Sequence, residues 1–180
     1  MSDLLQQMME AGLIQFGSFP RNGISIPVQF HFDMLASYPD VLEAAATELS
    51  RRLPSVDRLM CPFDSVPLGV ALALKTGIPL VYSQGGTQEA VYDLVGAYDI
   101  GHPAAFVTNV AGMTDYSALL STVRRVGLDV QHTIALVNLG RAPDVTTLFH
   151  LDEIVTVLVE RGSLPSGQAQ VVKGWLAVLS

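Results

Sequence analysis

The fold of this chain is decided by residues 103–127, which read PAAFVTNVAGMTDYSALLSTVRRVG. Residues 104–110 form an apolar run of strand length, and the residues that follow interrupt it with a glycine and small polar side chains. Apolar residues then recur at helical spacing over 119–123, and Gly127 is placed to end a helix. A second apolar run covers 130–138. The stretch therefore predicts one βαβ unit, with a right-handed crossover.

The polar loop of this unit is the expected position of a small-molecule site. In a parallel sheet, a loop that follows a strand lies at the carboxyl edge, where it meets the N-terminus of the next helix. Backbone N–H groups and the helix dipole suit a bound anion at such a position. We therefore expect any small-molecule site at residues 108–117.

The composition indicates a single domain with a sizeable core. The 180 residues are enough for one core, and 49% of them are apolar whereas only 15% are charged. A chain this apolar either buries its apolar residues well or has an apolar surface that associates with a partner, most simply in a homodimer. The net charge is −7 and basic residues are not clustered, which argues against a nucleic-acid partner.

Cysteine, histidine and hydropathy patterns exclude several other classes of protein. The single cysteine, Cys61, cannot form an intrachain disulfide and fits a reducing, cytoplasmic location. The four histidines are far apart and are not combined with cysteine at zinc spacing, so no metal motif is present. The first helix does not resemble a signal peptide, and no apolar run is long enough to cross a membrane. The pattern thus predicts a cytoplasmic protein without a membrane partner.

Helical and strand patterns alternate along the rest of the chain. Turn residues at 20–23 separate two β-prone segments, which predicts an N-terminal hairpin. Asp64 or Ser65 can cap the helix that follows a buried strand, and Gly77 can close that helix. The predicted helices cover 3–11, 39–52, 66–77, 152–161 and a segment from 165; the further strands cover 14–19, 24–32, 58–63 and 80–83; loops cover 140–143 and 84–101, the latter with some helix or strand of its own. This alternation favours an α/β fold with a largely parallel central sheet flanked by helices.

Several short strings occur in an order that resembles one enzyme family. They are FGSF at 16–19, RNG at 21–23, Pro27, LASYP at 35–39, residues 66–73, GIP at 77–79 and residues 148–162. Their order and spacing resemble orotate phosphoribosyltransferase, a type I phosphoribosyltransferase, over nearly the whole chain. The resemblance implies a phosphoribosyltransferase-type fold in a single domain, 1–180, divided into an N-terminal hairpin or hood region (1–35), an α/β core (36–142) and C-terminal helices (143–180).

The resemblance also implies a binding site. In that family, two acidic residues at the end of the central strand hold the ribose hydroxyls of phosphoribosyl pyrophosphate, and the next loop wraps the 5′-phosphate. The acidic pair falls here on Thr108 and Asn109, so both carboxylates are missing. The phosphate loop falls on residues 111–117, and the candidate ligand contacts within it are Gly112, Met113, Thr114, Asp115 and Ser117. Asp115 places a negative charge where the resemblance implies a phosphate.

Basic residues that neutralise the pyrophosphate in that family are missing as well. The matching loop reads SQGGTQE at 83–89, and Lys75 is the only Lys or Arg between Arg58 and Arg124. Loss of one preplaced donor typically raises the barrier by roughly 3 kcal/mol. We therefore assign no catalytic residue, and we expect Mg²⁺ as a cofactor only if the donor site is active.

Each candidate residue also has a purely structural interpretation. Thr108 and Asn109 either contact a ribose or simply end a strand. The glycine and hydroxyl residues of the loop either bind phosphate or serve the turn and the helix cap. Arg21 either approaches a base-binding pocket or lies in solvent at the hairpin turn. Tyr116, like three other tyrosines, either covers a pocket or lines a dimer contact.

Three functions follow from these observations. The favoured hypothesis is a catalytically impaired, orotate phosphoribosyltransferase-like protein that binds a nucleotide or sugar phosphate at the loop after the central strand. One alternative is an active orotate phosphoribosyltransferase with displaced catalytic groups, which would make orotidine monophosphate. The other alternative is a dimeric scaffold that binds no small molecule.

Overall fold

The computed structural model of the protein describes residues 3–21, 23–85, 93–140 and 144–179. The helices within these ranges are α1 (Asp3–Glu10), α2 (Pro39–Ser50), α3 (Val66–Thr76), α4 (Ser117–Arg125), α5 (Leu151–Glu160) and α6 (Ser166–Leu179). The strands are β1 (Ile14–Arg21), β2 (Ile24–Phe30), β3 (Arg58–Cys61), β4 (Leu80–Ser83), β5 (Leu94–Val95), β6 (Pro103–Ala111), β7 (Asp129–Asn138) and β8 (Val145–His150). Short 3-10 turns occupy Phe32–Ser37 and Phe63–Ser65.

Six of the strands form one sheet in the order β5-β4-β3-β6-β7-β8. Neighbouring strands are parallel except for β4 and β5, which are antiparallel. Strand β6 therefore lies in the interior of the sheet, between β3 and β7. The largely parallel α/β fold expected from the sequence is confirmed, and so is the separate antiparallel hairpin of β1 and β2.

Strand β6 is buried on both faces of the sheet. Ala105 and Val107 belong to a core formed with α1, α2, α3, α5 and α6, whereas Ala104 and Phe106 belong to a second core with α4. Successive residues of a strand point to opposite faces, which explains the alternation. Because β6 is packed from both sides, the polar residues at its C-terminal end are held in a fixed position.

Helix α3 begins and ends where the sequence predicts, but its N-terminus lacks a side-chain capping hydrogen bond. Gly77 ends the helix in the left-handed conformation, with φ of 74°. Ser65 is the N-cap residue, yet its side chain makes no capping hydrogen bond. Its hydroxyl instead accepts a hydrogen bond from the backbone of β6 and donates to Asp64. Ser65 is therefore the N-cap residue by position only, because its hydroxyl and the carboxylate of Asp64 form hydrogen bonds at the end of the sheet instead.

The C-terminal part of the chain contains a strand that the sequence analysis missed. Only helices are predicted over 143–180, but Val145–His150 forms β8, which pairs with β7 at the edge of the sheet. Valine, threonine and phenylalanine dominate this segment and favour a strand, and the helical pattern begins only at Leu151. The sheet therefore extends beyond residue 142, while residues 141–143 of the predicted loop lie outside the described residues.

The loop predicted at 84–101 contributes a short strand, β5, which pairs with β4. Residues 86–92 of this segment lie outside the described residues. Helix α4 ends at Arg125, and Gly127 follows it in the left-handed conformation with φ of 100°, as its position in the sequence indicates. None of the helices in the described ranges combines the length and the apolar character that crossing a membrane requires.

Candidate functional site

A cavity of about 560 Å³ lies between the N-terminal hairpin and the loop that follows β6. Apolar and aromatic residues of the hairpin side form one wall: Phe19, Ile26, Val28, Phe30 and Phe32. The opposite wall is mostly polar and comes from the ends of β3 and β6: Asp64, Asn109, Met113, Thr114 and Tyr116. Both the volume and this combination of apolar walls with a few polar groups are typical of small-molecule sites.

Asn109 is fixed at the wall of this cavity by the turn that follows β3. Its backbone N–H donates to Oγ of Ser65 at 3.0 Å, and its Nδ2 donates to the backbone carbonyl of Asp64 at 2.8 Å. The residue is only 7% exposed. Thr108, which is 2% exposed, interacts with the hydroxyl of Tyr116 and does not line the cavity. The structure therefore separates these two adjacent residues, because Asn109 lines the cavity and Thr108 does not.

The side-chain oxygen of Asn109 has no hydrogen-bond partner within the described part of the chain, although it is buried. The two ends of this amide can be told apart, because the carbonyl of Asp64 only accepts and must therefore face Nδ2. A buried acceptor without a partner costs roughly 1–3 kcal/mol. At a cavity wall, such an acceptor is suited to a hydrogen-bond donor of a ligand.

The carboxylate of Asp64 is oriented by two hydroxyl groups. Ser65 donates to Oδ1 and Tyr116 donates to Oδ2, each at 2.8 Å. Burial, followed by the nearby charge of Asp64, raises the pKa of Tyr116, so the phenol stays protonated and continues to donate. The ring of Tyr116 also packs against Phe106, with ring centroids 5.3 Å apart. This hydrogen bond therefore ties the loop after β6 to the turn after β3.

A second cavity, of about 300 Å³, adjoins the first one. It is lined by Phe63 and Gln84, and it shares Asp64, Thr114 and Tyr116 with the larger cavity. The hydrogen-bonded pair of Asp64 and Tyr116 thus belongs to the walls of both cavities. It forms a common boundary between the hairpin side of the site and the side that faces the end of β4.

Asp115 occupies the N-terminal end of α4. Its Oδ1 accepts the backbone N–H of Ser117, the first residue of the helix, at 2.9 Å. Hydrogen bonds from the backbone and then the side chain of Ser117 lower the pKa of Asp115, so this carboxyl is ionised at neutral pH. Gly112 provides the turn after β6, with φ of 86°. None of these three residues lines the larger cavity.

Arg21 ends β1 and lines the larger cavity from the hairpin side. Its Nη1 donates to Sδ of Met113 at 3.1 Å, which joins the hairpin to the loop after β6. Among the described residues, no carboxylate lies within ion-pair distance of this guanidinium. Arg21 is therefore able to meet an acceptor group of a ligand.

The sequence-predicted residues thus fall into two groups. Those that meet at the larger cavity are Arg21, Asn109, Met113 and Thr114. Those that lie apart from it are Thr108, Gly112, Asp115 and Ser117.

The charged side chains at the larger cavity have a negative sum. Within the described residues, Arg21 supplies the one positive charge of the lining, whereas Asp33 and Asp64 supply two negative ones. No three His, Cys, Asp or Glu side chains in the described ranges converge as metal ligands do.

Sequence reasoning undervalued part of this site. It treated Asp64 mainly as a helix cap, although the sheet expected from the sequence already placed this residue at the same carboxyl edge as Asn109. It left Tyr116 undecided between a pocket and a dimer contact. The hairpin aromatics carried no comparable signal, because strand alternation does not show which side of a hairpin faces a cavity.

Comparison with known proteins supports the fold. A scan against models of known protein families finds no match. Among similar solved structures, UMP synthase of Leishmania donovani has a TM-score of 0.82 and 22% identity over 97% of this chain. Orotate phosphoribosyltransferase of Francisella tularensis has a TM-score of 0.67 and 15% identity, and the match covers 97% of this chain and 94% of that chain.

A third similar structure, orotate phosphoribosyltransferase of Aeropyrum pernix, has a TM-score of 0.63 and 18% identity, covering 90% of this chain and 99% of that chain. By contrast, this chain spans only 42% of the Leishmania donovani UMP synthase chain. Similarity at these levels of identity concerns architecture. The protein therefore has the phosphoribosyltransferase fold and is orotate phosphoribosyltransferase-like in its architecture.

Proposed function

We propose that this protein is an orotate phosphoribosyltransferase-like protein with severely impaired catalysis, which binds a nucleotide-type ligand in the larger cavity. By nucleotide-type we mean a ligand that contains a ribose, with or without a heterocycle and a phosphate. The loop after β6 and the N-terminal hairpin supply the contacts on opposite sides of the cavity.

The observation that carries this proposal is the neutral end of β6. Asn109 lies where the resemblance implies a carboxylate, and one half of its amide is already committed to the carbonyl of Asp64. Phosphoribosyl transfer builds positive charge on the ribose and negative charge on the leaving pyrophosphate, and preplaced opposite charges stabilise both. With both acidic residues replaced and no Lys or Arg in 76–123, we expect a loss of several powers of ten in rate.

Binding does not require these charges. The free acceptor of Asn109 and the hydroxyl of Thr114 are suited to ribose or amide donors, and the aromatic wall is suited to a planar heterocycle. Arg21 adds one cationic donor on the hairpin side. These features support a ligand-binding role better than a role without ligand.

Two measurements test the proposal on the full chain. Orotidine monophosphate formation from orotate and phosphoribosyl pyrophosphate with Mg²⁺ is expected at least about a thousandfold below ordinary enzyme turnover. Thermal unfolding with a panel of nucleosides, nucleotides and ribose 5-phosphate is expected to show ligand-induced stabilisation. Turnover at ordinary enzyme rates would contradict the impaired-enzyme part, and a panel without any stabilisation would contradict the binding part.

One observation favours the active-enzyme alternative. Asp64 brings a carboxylate to the cavity from the end of the neighbouring strand, and its backbone is hydrogen-bonded directly to Asn109. It is therefore a candidate for a displaced acidic group. If the enzyme is active, Asp64→Asn should abolish most of the turnover while the fold remains intact by circular dichroism. Wild-type turnover that is absent, or unchanged in Asp64→Asn, argues against this alternative.

We also propose that the protein is a homodimer. Phe63, Val70 and Leu74 are exposed by 63%, 43% and 81%, and the latter two lie four residues apart on one face of α3. Light scattering is expected to give twice the mass of 19.3 kDa, and Leu74→Glu is expected to shift it toward the monomer. A stable dimer that binds none of the ligands in the panel would favour the scaffold alternative.

A further inference from the structure

We propose that the natural ligand of the larger cavity is an uncharged ribonucleoside and that a 5′-phosphate weakens its binding. This inference rests on the proposed function, because it assumes that the cavity holds a ribose-containing ligand. It narrows that class to molecules that donate hydrogen bonds and carry no negative charge.

The first argument is the unpaired oxygen of Asn109. The residue is more than nine-tenths buried, it lines the cavity, and its Oδ1 has no partner within the described residues. A ligand that pairs with this oxygen must present an O–H or N–H donor. Ribose hydroxyls and the ring N–H or amino group of a base are such donors, whereas a phosphate dianion is only an acceptor.

The second argument is the fixed orientation of Asp64. Hydroxyl groups of Ser65 and Tyr116 hold its two carboxylate oxygens, and its own carbonyl holds the amide nitrogen of Asn109. Two acceptors, the amide oxygen of Asn109 and the Asp64 carboxylate, therefore belong to one hydrogen-bonded cluster at the cavity wall. Adjacent acceptors suit the two vicinal hydroxyls of a ribose.

The third argument is the negative charge that a 5′-phosphate would meet in and beside the cavity. The loop after β6 carries Asp115, whose carboxylate already accepts the first N–H of α4. A phosphate placed at this helix end would meet a fixed negative charge and would find that donor taken. Asp33 and Asp64 add further negative charge to the cavity lining, and only Arg21, across the cavity, opposes them among the described residues.

Calorimetric titration of the full chain with uridine, cytidine and adenosine, and with their 5′-monophosphates, tests the inference. We expect each nucleoside that binds to bind about tenfold more tightly than its monophosphate at low salt, because the carboxylates of Asp33 and Asp64 in the lining, and of Asp115 on the adjoining loop, repel a phosphate. This difference in affinity between nucleoside and monophosphate is expected to shrink as ionic strength rises, since salt screens exposed charges. The matching 2′-deoxynucleosides are expected to bind several-fold more weakly than the ribonucleosides.

Variants separate local charge from net charge. Asp115→Asn keeps an acceptor for the N–H of Ser117 but removes the charge. It is expected to lower the ratio of nucleoside affinity to monophosphate affinity several-fold. Glu160→Gln, at the exposed end of α5, removes the same charge away from the site and is expected to leave the difference unchanged. Asp64→Asn is expected to weaken nucleoside binding about tenfold, which gives a second test if Asp115→Asn fails to fold.

The outcomes distinguish this inference from the proposed function. Monophosphates that bind as tightly as the nucleosides, or more tightly, overturn the inference and leave the proposed function standing. An Asp115→Asn variant that narrows the difference no more than Glu160→Gln also overturns it. If neither nucleosides nor monophosphates bind, the inference and the proposed binding function both fail.

Discussion

Replacing Tyr116 by phenylalanine removes the hydrogen bond that joins the loop after β6 to the turn after β3. The Tyr116 hydroxyl donates to Oδ2 of Asp64 at 2.8 Å, and hydrogen bonds to charged groups contribute roughly 1.5–3 kcal/mol. Because Asp64 is exposed and Tyr116 is only partly buried, we expect the low end, about 1.5 kcal/mol of lost unfolding free energy. The aromatic contact with Phe106 is retained in this variant.

Urea unfolding of Tyr116→Phe, Asp64→Asn and the double variant measures this contribution as a coupling energy, expected at about 1 kcal/mol. Tyr98→Phe is the matched control, since Tyr98 is also a partly buried tyrosine of the α4 core and its hydroxyl has no hydrogen-bond partner among the described residues. A loss below about 0.3 kcal/mol in Tyr116→Phe, or a coupling energy of zero, would refute the role we assign to this pair.

The pH dependence supplies a second readout of the same contact. The pKa of Tyr116 is raised above its ordinary value of 10.0, mainly by burial and then by Asp64. The stabilisation from the protonated phenol is therefore complete below pH 10 and is lost as the pH rises above it. Wild type is expected to lose stability above pH 10 more steeply than Tyr116→Phe. Equal slopes for the two proteins would contradict the assignment.

Three further predictions concern packing and charge. Burial and then Asp64 raise the pKa of the Cys61 thiol to about 12, so the wild type is expected to lose up to roughly 4 kcal/mol of unfolding free energy between pH 9 and pH 12. Cys61→Ala is expected to lack this loss, and equal pH slopes for the two proteins in alkaline urea titrations would contradict the prediction. Gly69→Ala is expected to destabilise by about 1–2 kcal/mol, since its Cβ would lie 2.8 Å from Sγ of Cys61, and a smaller cost in the Cys61→Ala background would confirm the clash. Arg21→Gln is expected to weaken binding of uridine 5′-monophosphate several-fold more than binding of uridine by calorimetry, because Arg21 is the one cation in the described lining of the cavity; an equal effect on both ligands would show that Arg21 does not respond to ligand charge.

The architecture was largely predictable because its signals are local. The run 104–110, the helical spacing of 119–123 and the run 130–138 each follow the period of one element, and the order of strings along the chain resembled one family. Strand β8 was not predicted because its six residues lead directly into α5, so that no turn residues separate the strand pattern from the helix pattern. Short edge strands carry little periodicity.

The candidate site was less predictable because its contacts join distant segments. Asn109 meets Asp64 across 45 positions of sequence, and Arg21 meets Met113 across 92. No periodicity or capping rule links such pairs, so Asp64 was interpreted as a helix cap when it was considered alone. The chemical identity of Thr108 and Asn109 was visible in the sequence, but only the fold shows that one of them lines a cavity and the other does not.

The bond from the amide nitrogen of Asn109 to the carbonyl of Asp64 has a consequence for how this site can change. An aspartate at position 109 could not donate that bond, and it would bring two oxygens to about 2.8 Å of one another. An ionised carboxylate therefore does not fit at position 109 in this conformation unless the turn after β3 also moves. The backbone carbonyl of the neighbouring turn therefore favours an amide over a carboxylate at this position.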